Sequence, residues 1–177
     1  YQPGTRWNYS VSTDVLGYLI EVISGKHLDT FMKERIFIPL KMTDTGFNVP
    51  KDKLKRCAAI YGPADERGIE VKVAPEEKTV TRPVKFLSGG GGLFSTVADY
   101  FIFSQMLLNR GEYNGVRLLK EETVELMTRN HISDEILNAD EWDLPGMGFG
   151  LGFSVQIDQS HSPVSPGAYE WSGAFNT

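Results

Sequence analysis

The chain has 177 residues, about the length of one domain, and its 41% hydrophobic and 23% charged residues are ordinary for a globular protein. Its net charge is −5, and it has no basic block or stripe, which argues against nucleic acid and an anionic membrane surface as partners. No apolar run approaches the roughly 18 residues needed to cross a bilayer. We therefore expect neither a nucleic-acid nor a membrane partner.

The first predicted element is a helix from about Ser12 to Ser24. Ser12 or Thr13 is expected to cap its start, and Gly25 is expected to follow its last turn. Spacings of four, seven and eight residues place a group of apolar residues on one helical face. These residues are Val15, Leu19, Val22 and Ile23.

The next part of the chain is predicted to hold a second helix and two strands. The helix runs from about Leu28 to Phe37, and Pro39 is expected to end it. The segments CAAIYG (57–62) and IEVKVA (69–74) have the composition of strands and are joined by a polar turn.

A run of four glycines, Gly89 to Gly92, precedes an apolar helix that is capped by Ser95 or Thr96. This helix extends to about Asn109, and Gly111 closes it. Glycines before a helix are typical of a phosphate-binding loop, which is one interpretation of this segment. Neither G-x-x-x-x-G-K-[ST] nor G-x-G-x-x-G is present, so the favoured interpretation is a tight turn packed against other backbone.

The last third of the chain is predicted to mix helix and strand. The predicted elements are a short strand or connector at GVRLL (115–119), a helix at KEETVELMTRN (120–130), an irregular segment at 131–146, and strands at GFGLGFSVQI (148–157) and AYEWSGAF (168–175). Helices in the middle and strands at the end predict a mixed α/β or α+β enzyme scaffold.

The composition offers no disulfide and no metal site. Cys57 is the only cysteine, and the three histidines lie far apart without a ligand spacing. The chain begins without Met and ends inside a predicted strand, so we expect a fragment whose N-terminal and C-terminal parts lie outside it. Cytoplasmic and periplasmic locations are both compatible with the sequence.

Tyr9 lies in RWNYSVSTDVLG (6–17), at a helix entrance among hydroxyl side chains. A phenol has a reference pKa of about 10, so it needs a nearby cation to act as a base at neutral pH. From these residues alone, a packed aromatic ring is the favoured interpretation. The chain contains no G-x-S-x-G motif, and no serine has a lysine three residues later, the spacing that stacks an amine beside a hydroxyl.

Three blocks change that interpretation. They are PGTRWNYSVSTDVLGYLIEVISGKHLDTFMKERIFIPLKMTDTGF (3–47), SGGGGLFSTVADYFIFSQMLLNRGEYNGVRLLKEETVELM (88–127), and the pair GFGLGFSV (148–155) and YEWSGAFNT (169–177). They resemble the serine β-lactamase-like family, the group of class C β-lactamases and family VIII esterases. The resemblance covers nearly the whole chain. It implies the β-lactamase/transpeptidase-like α/β (α+β) fold, in which an antiparallel sheet is flanked by helices.

The resemblance implies that Tyr9 is the catalytic phenol. The family's Tyr-x-Asn element matches Tyr9-Ser10-Val11, and its tyrosine takes a proton from the nucleophilic serine and passes it to the leaving group. The family's Ser-x-x-Lys motif, which supplies that serine, normally lies upstream of the tyrosine. The nucleophile is therefore expected outside this chain.

The family's third motif, K-T-G, H-x-G or W-x-G, matches Trp171-Ser172-Gly173. With Val11, these residues would contact the substrate, and Gly173 would let the strand lie close to it. The resemblance also makes the backbone N–H of Ala174 an oxyanion-hole donor, aimed at charge that develops in the tetrahedral intermediate.

Two departures from the β-lactamases favour the esterase branch. Val11 stands where β-lactamases have an Asn whose amide contacts the β-lactam side chain, and Trp171 stands where they have a Lys that attracts the substrate carboxylate. An indole offers apolar area and one N–H donor, which suits an uncharged acyl or alcohol group.

The resemblance thus implies a serine hydrolase that works through an acyl-enzyme, foremost a carboxylesterase on small esters. A β-lactamase or D-Ala peptidase is the alternative, and a non-catalytic remnant of the fold is an alternative of another class. Residues 1–177 would be part of one domain, with a helical region at about 1–145 and sheet strands at about 146–177. No metal or organic cofactor is implied. The partners would be a small ester or β-lactam and the remainder of the same fold, on the same chain or on another one.

Overall fold

A computed structural model of the chain describes residues 1–64, 68–76, 80–139 and 144–173. These residues divide into two units. The central unit is Val11–Ser104, and the terminal unit combines Tyr1–Ser10 with Gln105–Thr177.

The central unit begins with helix α1 (Ser12–Ser24). Gly25 follows it in the left-handed conformation, with φ 66°, and donates its N–H to the carbonyl of Glu21, so the predicted end is confirmed. The predicted side-chain cap is wrong. Ser12 is already helical and Val11 occupies the cap position, where its carbonyl accepts from the N–H groups of Asp14 and Val15.

The second helix does not end before Pro39 as predicted. Helix α2 (Leu28–Met32) passes into a π-helical turn (Lys33–Phe37) and then into the short helix α3 (Ile38–Leu40). In the wide turn, Ile38 donates its N–H to the carbonyl of Lys33, five residues back. Pro39 is then the second residue of a new helix, where a missing N–H removes no helical bond.

The remaining elements of the central unit are a 3₁₀ helix (Lys51–Arg56) and an antiparallel pair of strands, β1 (Ile60–Pro63) and β2 (Ile69–Val73). Both predicted strands are confirmed, although β1 begins at Ile60 and not at Cys57. The core of this unit is a cluster of three buried side chains against which Ile20 and Met32 pack. The cluster consists of Leu28, Phe47 and Leu87.

Helix α4 (Val97–Leu108) follows the glycine run. The Thr96 hydroxyl accepts from the N–H of Asp99 at 3.2 Å, so the predicted threonine cap is confirmed. At the other end, Gly111 has φ 93° and donates its N–H to the carbonyl of Met106, which closes the helix as predicted.

The glycine run packs against the first turns of α1. A Cβ on Gly89 would lie 2.0 Å from the carbonyl oxygen of Thr13 and 3.1 Å from the nitrogen of Gly17. The loop is also tied by Asp14, whose carboxylate accepts from the Ser88 hydroxyl and from the N–H of Gly90. The interpretation of the glycines as a close backbone contact is confirmed.

The terminal unit contains a small hairpin, β3 (Glu112–Tyr113) with β4 (Val116–Arg117), and the helices α5 (Glu121–Met127) and α6 (Asp134–Leu137). The helix predicted at 120–130 is therefore confirmed in a shorter form. A short helix also lies within the segment that was predicted to be irregular.

The sheet of this unit has three antiparallel strands in the order β5 (Met147–Phe149), β6 (Ser154–Gln156) and β7 (Tyr169–Glu170). The prediction of one continuous strand over 148–157 is wrong, because the chain reverses between Phe149 and Ser154. Gly152 has φ 100°, and Gly150 donates its N–H to the carbonyl of Phe153. Gly152 thus belongs to a turn, whereas a Cβ on Gly150 would lie 2.1 Å from the carbonyl oxygen of Met127, so Gly150 marks a close approach of another backbone segment.

Across the described ranges, none of the helices combines the length and the apolar character that a membrane crossing requires.

Candidate active site

Trp171 is placed by the last strand of the terminal unit. Strand β7 pairs with β6 through Ser154 opposite Glu170 and Val155 opposite Tyr169. The Ser154 hydroxyl, which is buried, donates to the carbonyl of Glu170 at 2.8 Å. Because Trp171 directly follows Glu170, the hydrogen bonds of Glu170 fix where the Trp171 backbone begins.

Tyr9 lies against Trp171. Their ring centroids are 5.3 Å apart, with an angle of 43° between the ring planes. The Tyr9 side chain is 67% exposed and that of Trp171 is 37% exposed, so both rings are open to solvent on one side. Two predicted site residues that are far apart in the sequence are therefore brought together within the terminal unit.

Two further rings extend this pair into an aromatic cluster (Trp7, Tyr9, Phe149 and Trp171). Phe149 lies edge to face with Trp171, at a centroid distance of 5.0 Å and an angle of 84°. Trp7 lies 4.5 Å from Phe149 at an angle of 52°. Sequence reasoning missed Phe149 and gave Trp7 no role. The signal available for Phe149 was an aromatic residue in a glycine-rich segment of the block that resembles the family.

The other predicted site residues have separate positions. Ser172 is exposed and Gly173 is half-buried, directly after Trp171. Val11 belongs to the central unit, where it precedes α1 and is 61% exposed. Ala174, predicted as an oxyanion-hole donor, lies outside the described residues.

A second phenol, that of Tyr169, lies two residues before the cluster residue Trp171. Burial raises the pKa of Tyr169, and its ring packs against Phe153 at 5.3 Å. A raised pKa keeps this phenol protonated at neutral pH. Tyr169 is therefore poorly suited to accept a proton, and it is half-buried, whereas Tyr9 is exposed.

Among the residues that the structure describes, no three His, Cys, Asp or Glu side chains come together in a group that could hold a metal ion.

The family model described as Beta-lactamase matches residues 1–177. Protein Rv1367c of Mycobacterium tuberculosis (strain H37Rv) is 38% identical over 188 residues, which cover 100% of this chain and 46% of that protein. A protein of Escherichia coli (strain K12), named "Putative D-alanyl-D-alanine carboxypeptidase", is 30% identical over 195 residues, with 100% of this chain and 42% of the relative covered.

Lovastatin esterase of Penicillium rubens is 32% identical over 137 residues, which cover 76% of this chain and 33% of the esterase. Among solved structures, unliganded simvastatin synthase (LovD) of Aspergillus terreus superposes with a TM-score of 0.74 at 24% identity, and the match covers 89% of this chain and 42% of that one. The chain thus spans less than half the length of each of these proteins.

Proposed function

This chain belongs to the beta-lactamase family, and on that premise we propose that it supplies the tyrosine and the W-x-G motif of a serine hydrolase. Its fold is β-lactamase/transpeptidase-like, as the superposition on simvastatin synthase shows. The observation that carries the proposal is the contact between Tyr9 and Trp171, which unites two sequence motifs of the family in one place.

Tyr9 has the role of general base in this proposal. The phenolate takes the proton of the serine hydroxyl while the serine oxygen attacks the ester carbonyl carbon, and a tetrahedral intermediate forms. Collapse of the intermediate breaks the bond to the leaving alcohol, which receives the proton from Tyr9. Water then attacks the acyl-enzyme, with Tyr9 as base again, and releases the carboxylic acid and the free serine.

We place the nucleophilic serine and the lysine of the Ser-x-x-Lys motif in the part of the longer protein outside residues 1–177. The lengths of the relatives support this, because the matched segments make up 33–46% of them. The backbone N–H of Ala174 is the proposed oxyanion-hole donor on this chain, since it follows Gly173 in the W-x-G motif.

The proposed substrate is a small carboxylic ester. Trp171 and Val11 offer apolar surface where a β-lactamase has a cation and an amide, and Trp171 belongs to a cluster of four aromatic rings. Such a surface favours an uncharged acyl or alcohol group over a carboxylate. The name of the Penicillium relative, an esterase, supports the same choice.

A β-lactamase or D-Ala peptidase activity is the second candidate. The Escherichia coli relative is named as a carboxypeptidase, and its match covers the whole of this chain. The two candidates differ in what the site must attract. A peptidase substrate that ends in D-alanine presents a free carboxylate, whereas a simple ester does not.

The remainder of the same fold is the proposed partner of α1. The exposed side of this helix carries six large apolar side chains that are 47–77% exposed, which is unusual for a helix surface that faces water. These side chains are Val15, Leu16, Tyr18, Leu19, Val22 and Ile23.

The test uses the full-length protein with a chromogenic ester and a chromogenic cephalosporin. We expect the ester to be turned over in preference, and Tyr9→Phe to lower kcat by about 10²- to 10⁴-fold without changing the circular dichroism spectrum. Tyr61→Phe is the matched control, because Tyr61 on β1 is also exposed, at 59%. Turnover of the cephalosporin alone would favour the second candidate. Failure of a covalent serine probe to label the protein would favour the non-catalytic remnant.

A further inference from the structure

We propose that Phe149 is a positioning residue that holds the indole of Trp171 in the orientation in which it contacts Tyr9. Phe149 touches Trp171 and Trp7, and its effect on Tyr9 passes through Trp171. This inference rests on the proposed function, in which Tyr9 moves the proton and Trp171 faces the substrate.

The geometry of the ring contact supports an orienting role. Phe149 and Trp171 meet edge to face, at 84°, whereas the other two contacts of the cluster are tilted by 43° and 52°. An edge-to-face contact places the positive edge of one ring on the negative face of the other, so it favours one orientation of the two planes. Phe149 therefore restricts the rotation of the indole, and does not only fill space beside it.

Trp171 depends on such a contact because it lies just past the paired part of its strand. The register between β6 and β7 ends at Glu170, and the Trp171 side chain is 37% exposed. Ring packing is therefore the main constraint on its side-chain torsions. A different rotamer of Trp171 would remove the surface against which Tyr9 rests.

Phe149 itself is anchored at both backbone groups. Its N–H donates to the Asn130 side-chain oxygen at 3.1 Å, and its carbonyl accepts from the N–H of His131 at 2.8 Å. The Asn130 amide is fixed in turn by two hydrogen bonds with the backbone of Ile132, both 2.9 Å long. At Gly148, a Cβ would lie 2.2 Å from the same Asn130 oxygen, so strand β5 approaches this amide as closely as glycine allows.

The same hairpin offers a matched control. Phe153 is also half-buried, and its ring contacts Tyr169 at 5.3 Å and 52°. Phe149→Leu and Phe153→Leu make the same chemical change four residues apart. A general loss of packing in the hairpin would give the two variants the same effects, whereas a positioning role is specific to Phe149.

The experiment compares Phe149→Leu, Phe149→Tyr and Phe153→Leu in the full-length protein. It measures kcat and KM for a chromogenic ester and the tryptophan bands of the near-ultraviolet circular dichroism spectrum. We expect Phe149→Leu to lower kcat about tenfold with less than a twofold change in KM, and to alter the tryptophan bands. Phe149→Tyr, which keeps the ring edge, should restore kcat to within about twofold, and Phe153→Leu should leave kcat and the tryptophan bands unchanged.

Equal effects of Phe149→Leu and Phe153→Leu on kcat and on the tryptophan bands would overturn the proposal. If Phe149→Leu does not fold, Phe149→Met takes its place with Phe153→Met as its control, because the flexible Met side chain adapts to the space that the ring leaves. A wild-type protein that hydrolyses no ester would contradict the proposed function alone. The spectroscopic comparison would still decide whether Phe149 orients the indole.

Discussion

Gly89 lies directly against Gly17, with its Cα 3.1 Å from the point where a Cβ on Gly17 would stand. Neither residue has a side chain, so the glycine loop approaches the backbone of α1 more closely than any other residue pair would permit. Ser88 and Gly90, on either side of Gly89, both donate hydrogen bonds to Asp14. The first turns of the helix that follows Tyr9 are therefore held by backbone contact and by one carboxylate.

Gly89→Ala is expected to destabilise the full-length protein by about 1–3 kcal/mol, because the new Cβ would lie 2.0 Å from the Thr13 carbonyl oxygen and the backbone must shift. Thermal or denaturant unfolding measures the effect. The matched control is Gly91→Ala, whose Cβ would meet only the Ser88 hydroxyl oxygen at 3.9 Å. Equal stabilities of the two variants would contradict the close contact.

Trp171→Lys is expected to change substrate preference. It restores a cation at the position where β-lactamases carry one, and a cation attracts a substrate carboxylate. We expect kcat/KM to fall about tenfold for the chromogenic ester and to rise about tenfold for the cephalosporin, each corresponding to about 1.4 kcal/mol. Trp171→Phe, which keeps an apolar ring, should retain ester hydrolysis and gain no cephalosporin turnover. If kcat/KM of Trp171→Lys falls equally for the ester and the cephalosporin, position 171 affects catalytic efficiency but not substrate specificity.

Asp44 is expected to contribute to stability only above acidic pH. The Arg56 guanidinium and the Lys53 ammonium, each 2.7 Å from a carboxylate oxygen, hold the pKa of Asp44 well below its usual range. A folded-state pKa below the unfolded value stabilises the protein at every pH above the unfolded value, and this stabilisation is lost as the pH falls towards the folded value.

Asp44→Asn should therefore be less stable than the wild type at neutral pH, and the difference should shrink progressively below about pH 4. Denaturant unfolding of the full-length protein at several pH values gives the comparison. Asp52→Asn, at an exposed acid of the neighbouring 3₁₀ helix, is the control and should follow the wild type throughout. A constant difference between Asp44→Asn and the wild type from pH 7 to pH 3 would rule out the ion pairs as its source.

Ile23→Lys tests whether the remainder of the fold covers α1. The side chain is 77% exposed in residues 1–177. If the longer protein packs against this side chain, a lysine at position 23 buries a charge. The substitution should then lower the free energy of unfolding of the full-length protein by about 2 kcal/mol or more. Ile23→Leu keeps the apolar character and should cost much less. An unchanged unfolding midpoint for Ile23→Lys would show that the face stays in water.

The sequence predicts the local structure well where one residue decides it. The end of α1 at Gly25 and the threonine cap of α4 are examples, since a left-handed glycine and a capping hydroxyl act within one helical turn. The contact of Tyr9 with Trp171 is a longer-range result. The family resemblance assigned both residues to one site, but no local rule predicts that their rings meet.

Two features escaped prediction because the residue pattern does not distinguish the structure that forms from a commoner alternative. The π-helical turn lets Pro39 enter a helix, although a proline usually ends one. In the glycine-rich segment, one strand and two strands joined by a turn have nearly the same composition, and Gly152 decides between them through its positive φ. The contact of Phe149 with Trp171 depends on that turn, which explains why sequence reasoning missed it.

Helix α1 contacts its own unit through Gly17, which is buried, and through Ile20, which packs against the core cluster. Its other large apolar side chains are exposed. A helix that packs through a glycine and one isoleucine on one side and is apolar on the other has the composition of a middle layer, which neighbours can cover on both sides. Because the close glycine contact uses so little side-chain surface, most of the apolar surface of α1 is left for a second neighbour.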